Sequence, residues 1–358
     1  MNFTTSKKKW ALCGTRGVPG AYGGFETFCE QFCKENYRSR DPMDVLVFCD
    51  SSIDKTSPFH HAKRFFIPIS ANGVSGIIYD CLSMLLCIVW RRNVVLLGCS
   101  GGMAIPFCRL FGIEVITNVA GIEWGRSKWG IIARSMLKFS EYLSVRFSNH
   151  IVADNQGIFD YISDAYATSA SIIEYGADHV IKKESGAKRY QEDYYFGLAR
   201  CQPDNHVEEI LKVFSGNSEH LIFISNWDSC DYGKSLKDKY SNQENLTLMD
   251  PVFDLSVLFG YRTRCKAYVH GHSAGGTNPA LIEAMICGAL CICFDNKFNR
   301  FTTSDHGFFW KSMDDLGAVI DNFNAEEADV IRKKSTNVAV LKYQWEMIVS
   351  KYRNLMEK

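Results

Sequence analysis

The stretch Tyr268–Arg300, YVHGHSAGGTNPALIEAMICGALCICFDNKFNR, shows how this chain is organised. Its first residues complete an apolar run, Ala267–His270, which predicts a strand, and the small residues of Ser273–Thr277 predict a loop. Asn278 is a preferred helix cap, and Pro279 suits the first helical position because its missing N–H costs no hydrogen bond there. The segment therefore predicts a strand, a loop and a helix in succession.

The same loop predicts a phosphate site. Free N–H groups at a helix N-terminus carry positive partial charge, and glycines let a ligand approach the backbone closely. One turn inside this helix, which we expect to end at Gly288, Glu283 could accept hydrogen bonds from a ribose diol. The residues expected to bind a nucleoside diphosphate here are Gly275, Gly276, Thr277, Asn278 and Glu283.

Composition limits the function classes. The 358 residues exceed one ordinary domain, and 46% hydrophobic residues are enough for two cores. Lys+Arg and Asp+Glu both number 40, so bulk charge gives no support for nucleic-acid binding. The 14 cysteines include no CxxC, and most lie in apolar runs, which favours reduced thiols in a cytoplasm. Examples are Cys13, Cys29, Cys33, Cys49, Cys291 and Cys293.

The sequence shows no signal peptide, because no apolar core follows Lys7–Lys9. The most hydrophobic stretch, Ile77–Trp90, contains Asp80 and falls short of the roughly 20 residues that span a bilayer. We expect a buried core helix. The basic pair Arg91–Arg92 leaves open a helix that lies on an anionic membrane surface.

Strand-like and helix-like runs alternate in both halves of the chain, which predicts two α/β domains with parallel sheets. In the first half, Phe25–Glu35 has clear helical periodicity. The strands predicted there are Lys9–Cys13, Asp44–Cys49, Arg64–Ile69, Asn93–Leu97, Glu114–Val119 and His150–Ala153. Those of the second half are Tyr194–Leu198, His220–Ser225, Asn245–Met249, Ala267–His270 and Leu290–Phe294.

We expect four segments: an N-terminal domain (1–175), a polar linker (176–193), a C-terminal domain (194–337) and a helix (338–358). Doubly wound domains bind ligands at the carboxyl ends of their strands, here expected to face one another across a cleft.

The loop Gly14–Glu26 follows the first strand and contains five glycines. It matches neither GxGxxG nor a Walker loop, so hydride transfer and ATP hydrolysis lose support. Gly23 and Gly24, next to the helix start, could still present amides to an anion, with Arg16 as a nearby cation. A flexible turn, and a Glu26 that merely favours the helix dipole, remain alternatives.

Asn118–Trp129 follows another strand end and is rich in groups that bind sugars. Glu123 and Arg126 offer polar contacts, as does Lys128, and Trp124 and Trp129 offer stacking faces. Ordinary surface packing is the alternative.

Arg200 and Lys234 follow adjacent strands of the second half and could neutralise a diphosphate leaving group. Each alone could equally be a solvated charge. His270 and His272 lie on one face at a strand end, but no third metal ligand stands nearby, so we predict no metal site.

Taken together, these motifs resemble bacterial glycosyltransferases of the rhamnosyltransferase type. The segments that carry the resemblance, which extends from Trp10 to about Tyr352, are GTRGVPGAYGGFETFCEQF, GIEWGRSKWG, SVRFSNHIVADNQGI, EYGAD and HGHSAGGTNPALIEAM. That group has an N-terminal domain typical of β-1,4-rhamnosyltransferases, within the retaining, family-4 GT-B enzymes.

The resemblance implies a GT-B fold of two Rossmann-like, doubly wound domains, with Val338–Met356 as a helix crossing back to the first. It implies donor binding by the C-terminal domain, with Arg200 and Lys234 on the diphosphate, and the Gly23–Gly24 loop approaching from the other domain. The acceptor residues would be Glu123, Trp124 and Arg126. The implied reaction is metal-independent, cofactor-free transfer of a sugar, with retention, to a lipid-linked saccharide. The enzyme would be cytoplasmic, with peripheral contact at the inner face of the plasma membrane.

The chain also departs from that family. Wider family-4 enzymes have two glutamates eight positions apart, and here Gly275 replaces the first. This favours a deoxysugar donor such as TDP-rhamnose, in O-antigen or capsule synthesis. Ala120 stands where a polar residue is expected, and Arg200 lies in a looser strand-end motif. A nucleotide-sugar 2-epimerase using Glu123 and Asp154, or a non-catalytic nucleotide-sugar-binding homologue, stays open.

Overall fold

The protein folds as two α/β units, each built on one parallel sheet. The computed structural model describes residues 8–20, 23–125, 129–182 and 193–358. The first unit runs to Glu174 and also includes Trp345–Lys358, whereas the second is continuous, Tyr175–Gln344. The chain therefore leaves the first unit, forms the second, and returns.

The first unit contains a seven-stranded sheet in the order β3-β2-β1-β4-β5-β6-β7, with every pair parallel. Its strands are β1 (Lys9–Cys13), β2 (Asp44–Cys49), β3 (Lys63–Phe66), β4 (Asn93–Leu97), β5 (Val115–Val119), β6 (His150–Ala153) and β7 (Ser171–Ile172). Its helices are α1 (Gly24–Arg38), α2 (Gly73–Trp90), α3 (Ile105–Leu110), α4 (Ile131–Phe147), α5 (Gln156–Tyr166) and α13 (Trp345–Glu357).

The second unit contains a six-stranded parallel sheet in the order β10-β9-β8-β11-β12-β13. Its strands are β8 (Tyr195–Leu198), β9 (Leu221–Ile224), β10 (Leu246–Met249), β11 (Ala267–His270), β12 (Cys291–Phe294) and β13 (Phe308–Trp310). Its helices are α6 (Val207–Ser215), α7 (Asp231–Tyr240), α8 (Leu255–Arg264), α9 (Pro279–Ile286), α10 (Lys297–Thr303), α11 (Met313–Asp321) and α12 (Ala325–Lys342).

Both cores form because the central strands are apolar along nearly their whole length. A parallel sheet is covered by helices on both faces, so its inner strands are buried on both sides. Every residue of β5 and β11 is buried. The predicted periodicity of Phe25–Glu35 is confirmed by α1, which buries Phe28, Cys29, Phe32 and Cys33. The strand order in each unit is that of a Rossmann-like fold, as the sequence predicts.

The α2 helix is long and apolar enough, by length and composition, to cross a membrane, and it is alone in this among the described residues. Its buried face includes Ile77, Tyr79 and Met84, which belong to the core of the first unit or pack within it. Core helices of ordinary folds pass the same length test. The expectation that Ile77–Trp90 is a core helix fits this packing, although the helix begins earlier, at Gly73.

The expected single helix Val338–Met356 is instead two helices, since α12 ends at Lys342 and α13 begins at Trp345. Tyr343 lies at the break, as the cap of α12, and is held within the second unit by two hydrogen bonds. Its hydroxyl donates to Thr302 O at 2.7 Å, and its carbonyl accepts from Ala177 N at 2.7 Å.

The α13 helix completes the core of the first unit. Trp345 and Tyr352 pack edge-on against Phe28 of α1, with ring centroids 6.0 and 4.9 Å away. The Tyr352 hydroxyl also accepts a hydrogen bond from Asn118 Nδ2 at 2.7 Å.

The segment predicted as a linker, 176–193, begins inside the second unit. Ala177 and Val180 are buried, and a short 3-10 turn covers Asp178–Val180. Residues 183–192 lie outside the described residues. A few apolar residues among many polar ones are too weak a pattern to assign this stretch to a core.

Candidate functional site

The candidate site lies in the second unit, where the strand order of the sheet reverses. The order reverses between the central neighbours β8 and β11, and sheets of this kind bind ligands at the carboxyl ends of the strands at such a point. The loop after β8 begins with Ala199 and Arg200, and the loop after β11 is Gly271–Asn278. Both were singled out from the sequence.

Hydrogen bonds join these two loops. Ser273 N donates to Asp204 O at 2.9 Å, and the His206 ring nitrogen Nδ1 lies 2.8 Å from Gly271 O. The approach at Gly271 is so close that a Cβ there would lie 2.2 Å from Asn205 O. Glycine is therefore required at this position for steric reasons.

The loop after β12 adds a third support. The carbonyl oxygen of His272 accepts hydrogen bonds from Asn296 Nδ2 at 2.9 Å and from Asn299 Nδ2 at 3.0 Å. Three strand-end loops thus hold the backbone before α9 in one geometry, which is the condition for a pre-organised binding loop.

The predicted cap of α9 is confirmed. Asn278 is the cap, its Oδ1 accepts from Ala280 N at 3.0 Å, and Pro279 is the first helical residue. The helix ends at Ile286, with Gly288 at a positive φ of 75° just beyond. Because the Asn278 side chain is used as the cap, a ligand here would meet the backbone and the positive end of the helix.

Gly275 has a φ of +111°, which L side chains rarely adopt, and no atom of the described residues, its chain neighbours aside, lies within 4 Å of where its Cβ would be. Gly276 and Thr277 beside it are buried. The position for which the family resemblance implies a glutamate is therefore open space here, reached by a backbone that favours glycine.

Glu283, in the middle of α9, is held by two basic groups that the sequence did not suggest. Its carboxylate pairs with the Arg262 guanidinium, and His179 Nε2 lies 3.6 Å from Glu283 Oε1. The Glu283 side chain is 13% exposed, whereas Arg262 is fully buried. The two basic groups contact different oxygens of the carboxylate and fix its orientation, and part of the side chain stays exposed.

Arg262 has one unusual property. Its Nη2 donates a hydrogen bond to Glu283, but its buried Nε and Nη1 have no hydrogen-bond partner among the residues that the structure describes. An arginine keeps its charge when buried, so it depends on the partners that it has. The sequence signal was weak: Arg262 follows the buried Leu258 by four residues on α8, which places an arginine on an apolar helical stripe.

The two predicted cations lie at the same edge of the sheet. Arg200 is exposed directly after β8, and Lys234 is exposed in the first turn of α7, which follows the adjacent strand β9. Neither side chain has an ion-pair partner within the described ranges. Both are thus available to an anionic ligand.

His270 and His272 stack with ring centroids 4.4 Å apart. Burial lowers the pKa of His270 to about 3, so its ring is neutral at physiological pH. Within the described parts of the chain, neither ring nitrogen of His270 has a hydrogen-bond partner. Across the described part of the chain, no group of three His, Cys, Asp or Glu residues is arranged to hold a metal ion.

The first unit has its own strand-order reversal, between β1 and β4, and Gly14–Glu26 starts there. Glu26 is 6% exposed and accepts from Arg16 N at 2.9 Å and from Thr15 Oγ1 at 3.3 Å. It therefore holds the loop together, which is more than favouring a helix dipole. The Arg16 side chain forms an ion pair with the buried Asp50, with Nε 3.6 Å from Oδ2. Its charge is therefore already paired within the protein.

Gly23 and Gly24 stand at the N-terminus of α1, Gly23 as the cap and Gly24 as the first residue. The Gly23 carbonyl accepts from Thr27 N at 3.0 Å. This is the helix start that the sequence predicts. Residues 21–22 lie outside the described residues.

Glu123 and Trp124 form a 3-10 turn after β5, and both have partners within the protein. Trp129 Nε1 donates to Glu123 Oε1 at 3.1 Å, and Trp124 Nε1 donates to Glu141 Oε1 at 3.2 Å. Both acceptor candidates remain partly exposed. Arg126 and Lys128 lie outside the described residues.

Glu141 is the residue that supports this turn, and the sequence did not reveal it. It is 1% exposed, and its Oε1 also accepts from the Tyr161 and Tyr166 hydroxyls at 2.5 and 2.6 Å. Burial raises the pKa of Tyr161 to about 12, and the Glu141 carboxylate adds to the rise. The tyrosines therefore remain donors at physiological pH.

Comparisons with known proteins agree on the fold. A family model described as a domain of unknown function, DUF1972, matches residues 7–178. No curated protein sequence matches this chain.

Solved structures match over nearly the whole chain. Sucrose-phosphate synthase from Thermosynechococcus elongatus is 13% identical with a TM-score of 0.79, and the match covers 98% of each chain. Anabaena HepE in complex with UDP-glucose is 12% identical with a TM-score of 0.73, over 98% of this chain and 99% of that one. A UDP-bound S. aureus TarM structure is 11% identical with a TM-score of 0.68, over 99% and 100%. The chain therefore has the GT-B fold predicted from its sequence, with a Rossmann-like sheet in each of its two units.

Proposed function

We propose that this protein is a retaining glycosyltransferase that moves a sugar from a nucleoside-diphosphate donor to a hydroxyl group of a lipid-linked saccharide. The observation that carries the proposal is the loop Gly271–Asn278, which leads into the capped N-terminus of α9 at the strand-order reversal, with Glu283 one turn inside the helix. This arrangement suits a diphosphate and its ribose. Structures of the same fold, HepE and TarM, contain UDP-glucose and UDP.

In this proposal the second unit binds the donor. The backbone of Gly275, Gly276 and Thr277 meets a phosphate at the positive end of α9, and the exposed part of the Glu283 side chain accepts hydrogen bonds from the ribose hydroxyls. Arg262 and His179 hold that carboxylate in place, as positioning residues.

Catalysis would consist mainly of stabilising the departing diphosphate. Negative charge develops on the leaving phosphate, and Arg200 and Lys234, which form no ion pair with the described residues, lie at the edge of the sheet where it would form. The leaving phosphate can take the proton of the acceptor hydroxyl, so the scheme needs no protein general base, metal or cofactor. Glu123, Trp124 and Arg126 would orient the acceptor, and Gly23–Gly24 would contribute amides from the first unit.

For the donor sugar we propose L-rhamnose, supplied as TDP-rhamnose, in the synthesis of a surface polysaccharide such as O-antigen or capsule. The supporting feature is Gly275, where the backbone leaves an open space and no carboxylate is present to bind a sugar hydroxyl. A site that hydrogen-bonds a hydroxyl discriminates against a sugar without it, so removing that group favours a deoxysugar.

The test is release of nucleoside diphosphate by purified protein from TDP-rhamnose and the common UDP- and GDP-sugars, with and without lipid-diphosphate saccharides. We expect release from one donor, dependent on acceptor, and lost in Glu283→Ala. The matched control is Glu219→Ala, because Glu219 is also part-buried and ion-paired but precedes β9 at the opposite edge of the sheet.

Two outcomes would replace the proposal. Donor turnover without acceptor would favour the 2-epimerase alternative, in which the buried Asp154 and the partly exposed Glu123 would be the carboxylates used. Donor binding without turnover across the panel would favour a nucleotide-sugar-binding protein.

A further inference from the structure

One side of the first unit exposes apolar side chains on three helices. On α2 they recur with helical spacing, which places them on one face opposite the buried one. The exposed residues of this apolar face are Val74, Ile78, Leu82, Leu85 and Val89 on α2, Phe107 and Leu110 on α3, and Ile131, Ile132, Met136, Phe139, Tyr142 and Phe147 on α4.

These residues belong to one surface, because α3 packs against both α2 and α4. Several are far more exposed than an ordinary surface apolar residue, with Ile131 at 84%, Ile132 at 79% and Leu110 at 77%. Scattered single apolar residues on a surface need no explanation, but a contiguous set spread over three helices marks an interaction site.

The charges around the apolar face are of one sign. Exposed cations on or at the ends of these helices are Arg91, Arg109, Arg134, Lys138 and Arg146, and none forms an ion pair with a described carboxylate. The acidic residues of the same helices, Asp80 on α2 and Glu141 on α4, are both buried. The face therefore presents apolar side chains flanked by unneutralised positive charge.

We propose that the α2–α3–α4 face binds the surface of a lipid bilayer that contains anionic lipids. Apolar side chains would enter the boundary between headgroups and acyl chains, while the cations would lie among the headgroup phosphates. The proposal deepens the proposed function and rests on it, because a lipid-linked acceptor would bring the protein to a membrane. The surface itself is observed independently.

A second copy of this chain is a poorer occupant. Two such faces brought together would place cations opposite cations, with no exposed carboxylate on these helices to neutralise them. A membrane-spanning role for α2 is also disfavoured, because its other face belongs to the core of the first unit.

The test is flotation of the full chain with vesicles of phosphatidylcholine alone or mixed with phosphatidylglycerol. We expect binding to the mixed vesicles, weakened by added salt. The double variant Ile131→Ser/Ile132→Ser should bind at least about tenfold more weakly, since two exposed isoleucines lose their apolar contact. Arg109→Glu/Arg134→Glu should also lose about tenfold or more.

Matched controls come from α12 of the second unit, where Leu341 is 66% exposed and Lys334 is exposed. Leu341→Ser and Lys334→Glu should bind vesicles like the unaltered protein. The proposal would be overturned if the protein bound both kinds of vesicle equally well. It would also be overturned if both double variants bound the mixed vesicles as tightly as the unaltered protein. A dimer that Ile131→Ser/Ile132→Ser dissociates, with no vesicle binding, would overturn it in favour of a second copy.

The measurement separates this inference from the proposed function. Calorimetric binding of TDP or UDP, without vesicles, should be unchanged in Ile131→Ser/Ile132→Ser, which also shows that the variant is folded. Conversely, Glu283→Ala should still bind vesicles. If the unaltered protein binds neither TDP nor UDP, the proposed function is contradicted, but the vesicle-binding result is unaffected.

Discussion

Asp80 should make the first unit less stable as the pH rises. Its carboxyl group lies on the buried face of α2, where the Ser100 hydroxyl donates to it. Burial raises the pKa of Asp80 from 3.8 to about 7, because the charged form is poorly solvated there. In the unfolded chain the same group ionises near its ordinary value. Folding therefore favours the protonated acid.

The sign and size follow from the two pKa values. Between about pH 4 and pH 7 the folded state holds a proton that the unfolded state has lost, so the free energy of unfolding falls as pH rises. Each unit of pKa difference between the folded and unfolded states corresponds to about 1.4 kcal/mol of unfolding free energy. Above pH 7, the buried carboxyl group of Asp80 therefore lowers the free energy of unfolding by about 4 kcal/mol. About 2.5 kcal/mol of it should develop between about pH 5 and pH 8.

Asp80→Asn keeps the acceptor for Ser100 and removes the titration. We expect the variant to equal the unaltered protein in stability at about pH 4 and to exceed it by about 4 kcal/mol at about pH 8. Guanidinium unfolding across this pH range measures the difference. Asp164→Asn, at an exposed site on α5, should follow the unaltered protein at every pH. A stability difference that does not depend on pH would refute the reasoning.

Three further predictions concern the second unit. Arg262→Met should weaken nucleoside-diphosphate binding by about tenfold or more by calorimetry, since Glu283 loses its buried partner, whereas Arg264→Met, exposed on the same helix, should not. Gly271→Ala should lower the free energy of unfolding by about 1–3 kcal/mol, because the added methyl group meets a backbone carbonyl. The control, Gly317→Ala on α11, adds a methyl group in open space and should raise the free energy of unfolding by up to about 1 kcal/mol. Asn278→Ala should cost about 1 kcal/mol in chemical unfolding through the lost cap of α9 and should lower nucleotide affinity; unchanged values of both would contradict its role.

The sequence predicted most of the strands because parallel strands are continuous apolar runs. The bounds of β1, β2, β4, β6 and β11 agree with those predicted, and most others differ by one residue. Two edge strands were not predicted. Ser171–Ile172 has two residues and no buried one, and Phe308–Trp310 has three residues of which only Trp310 is buried. A short, half-covered edge strand produces little periodicity.

The candidate site was predictable where its signals were local. Asn278 and Pro279 predicted the start of α9 correctly, because helix capping depends only on residues that are neighbours in the sequence. The supports of Glu283 were not predictable, since His179 is about a hundred residues away along the chain and Arg262 is on a different helix. Glu141 was missed for the same reason, because its donors come from other elements.

The return of α13 to the first unit has a consequence for biosynthesis. The ribosome releases the whole of the second unit, Tyr175–Gln344, before it releases the helix that completes the first. Until then Phe28 lacks the aromatic rings of Trp345 and Tyr352 that cover it. The second unit is continuous and can fold while it is translated, whereas the first unit is made earlier but stays incomplete until α13 is released. The nascent first unit is therefore the part of this protein most in need of protection by chaperones.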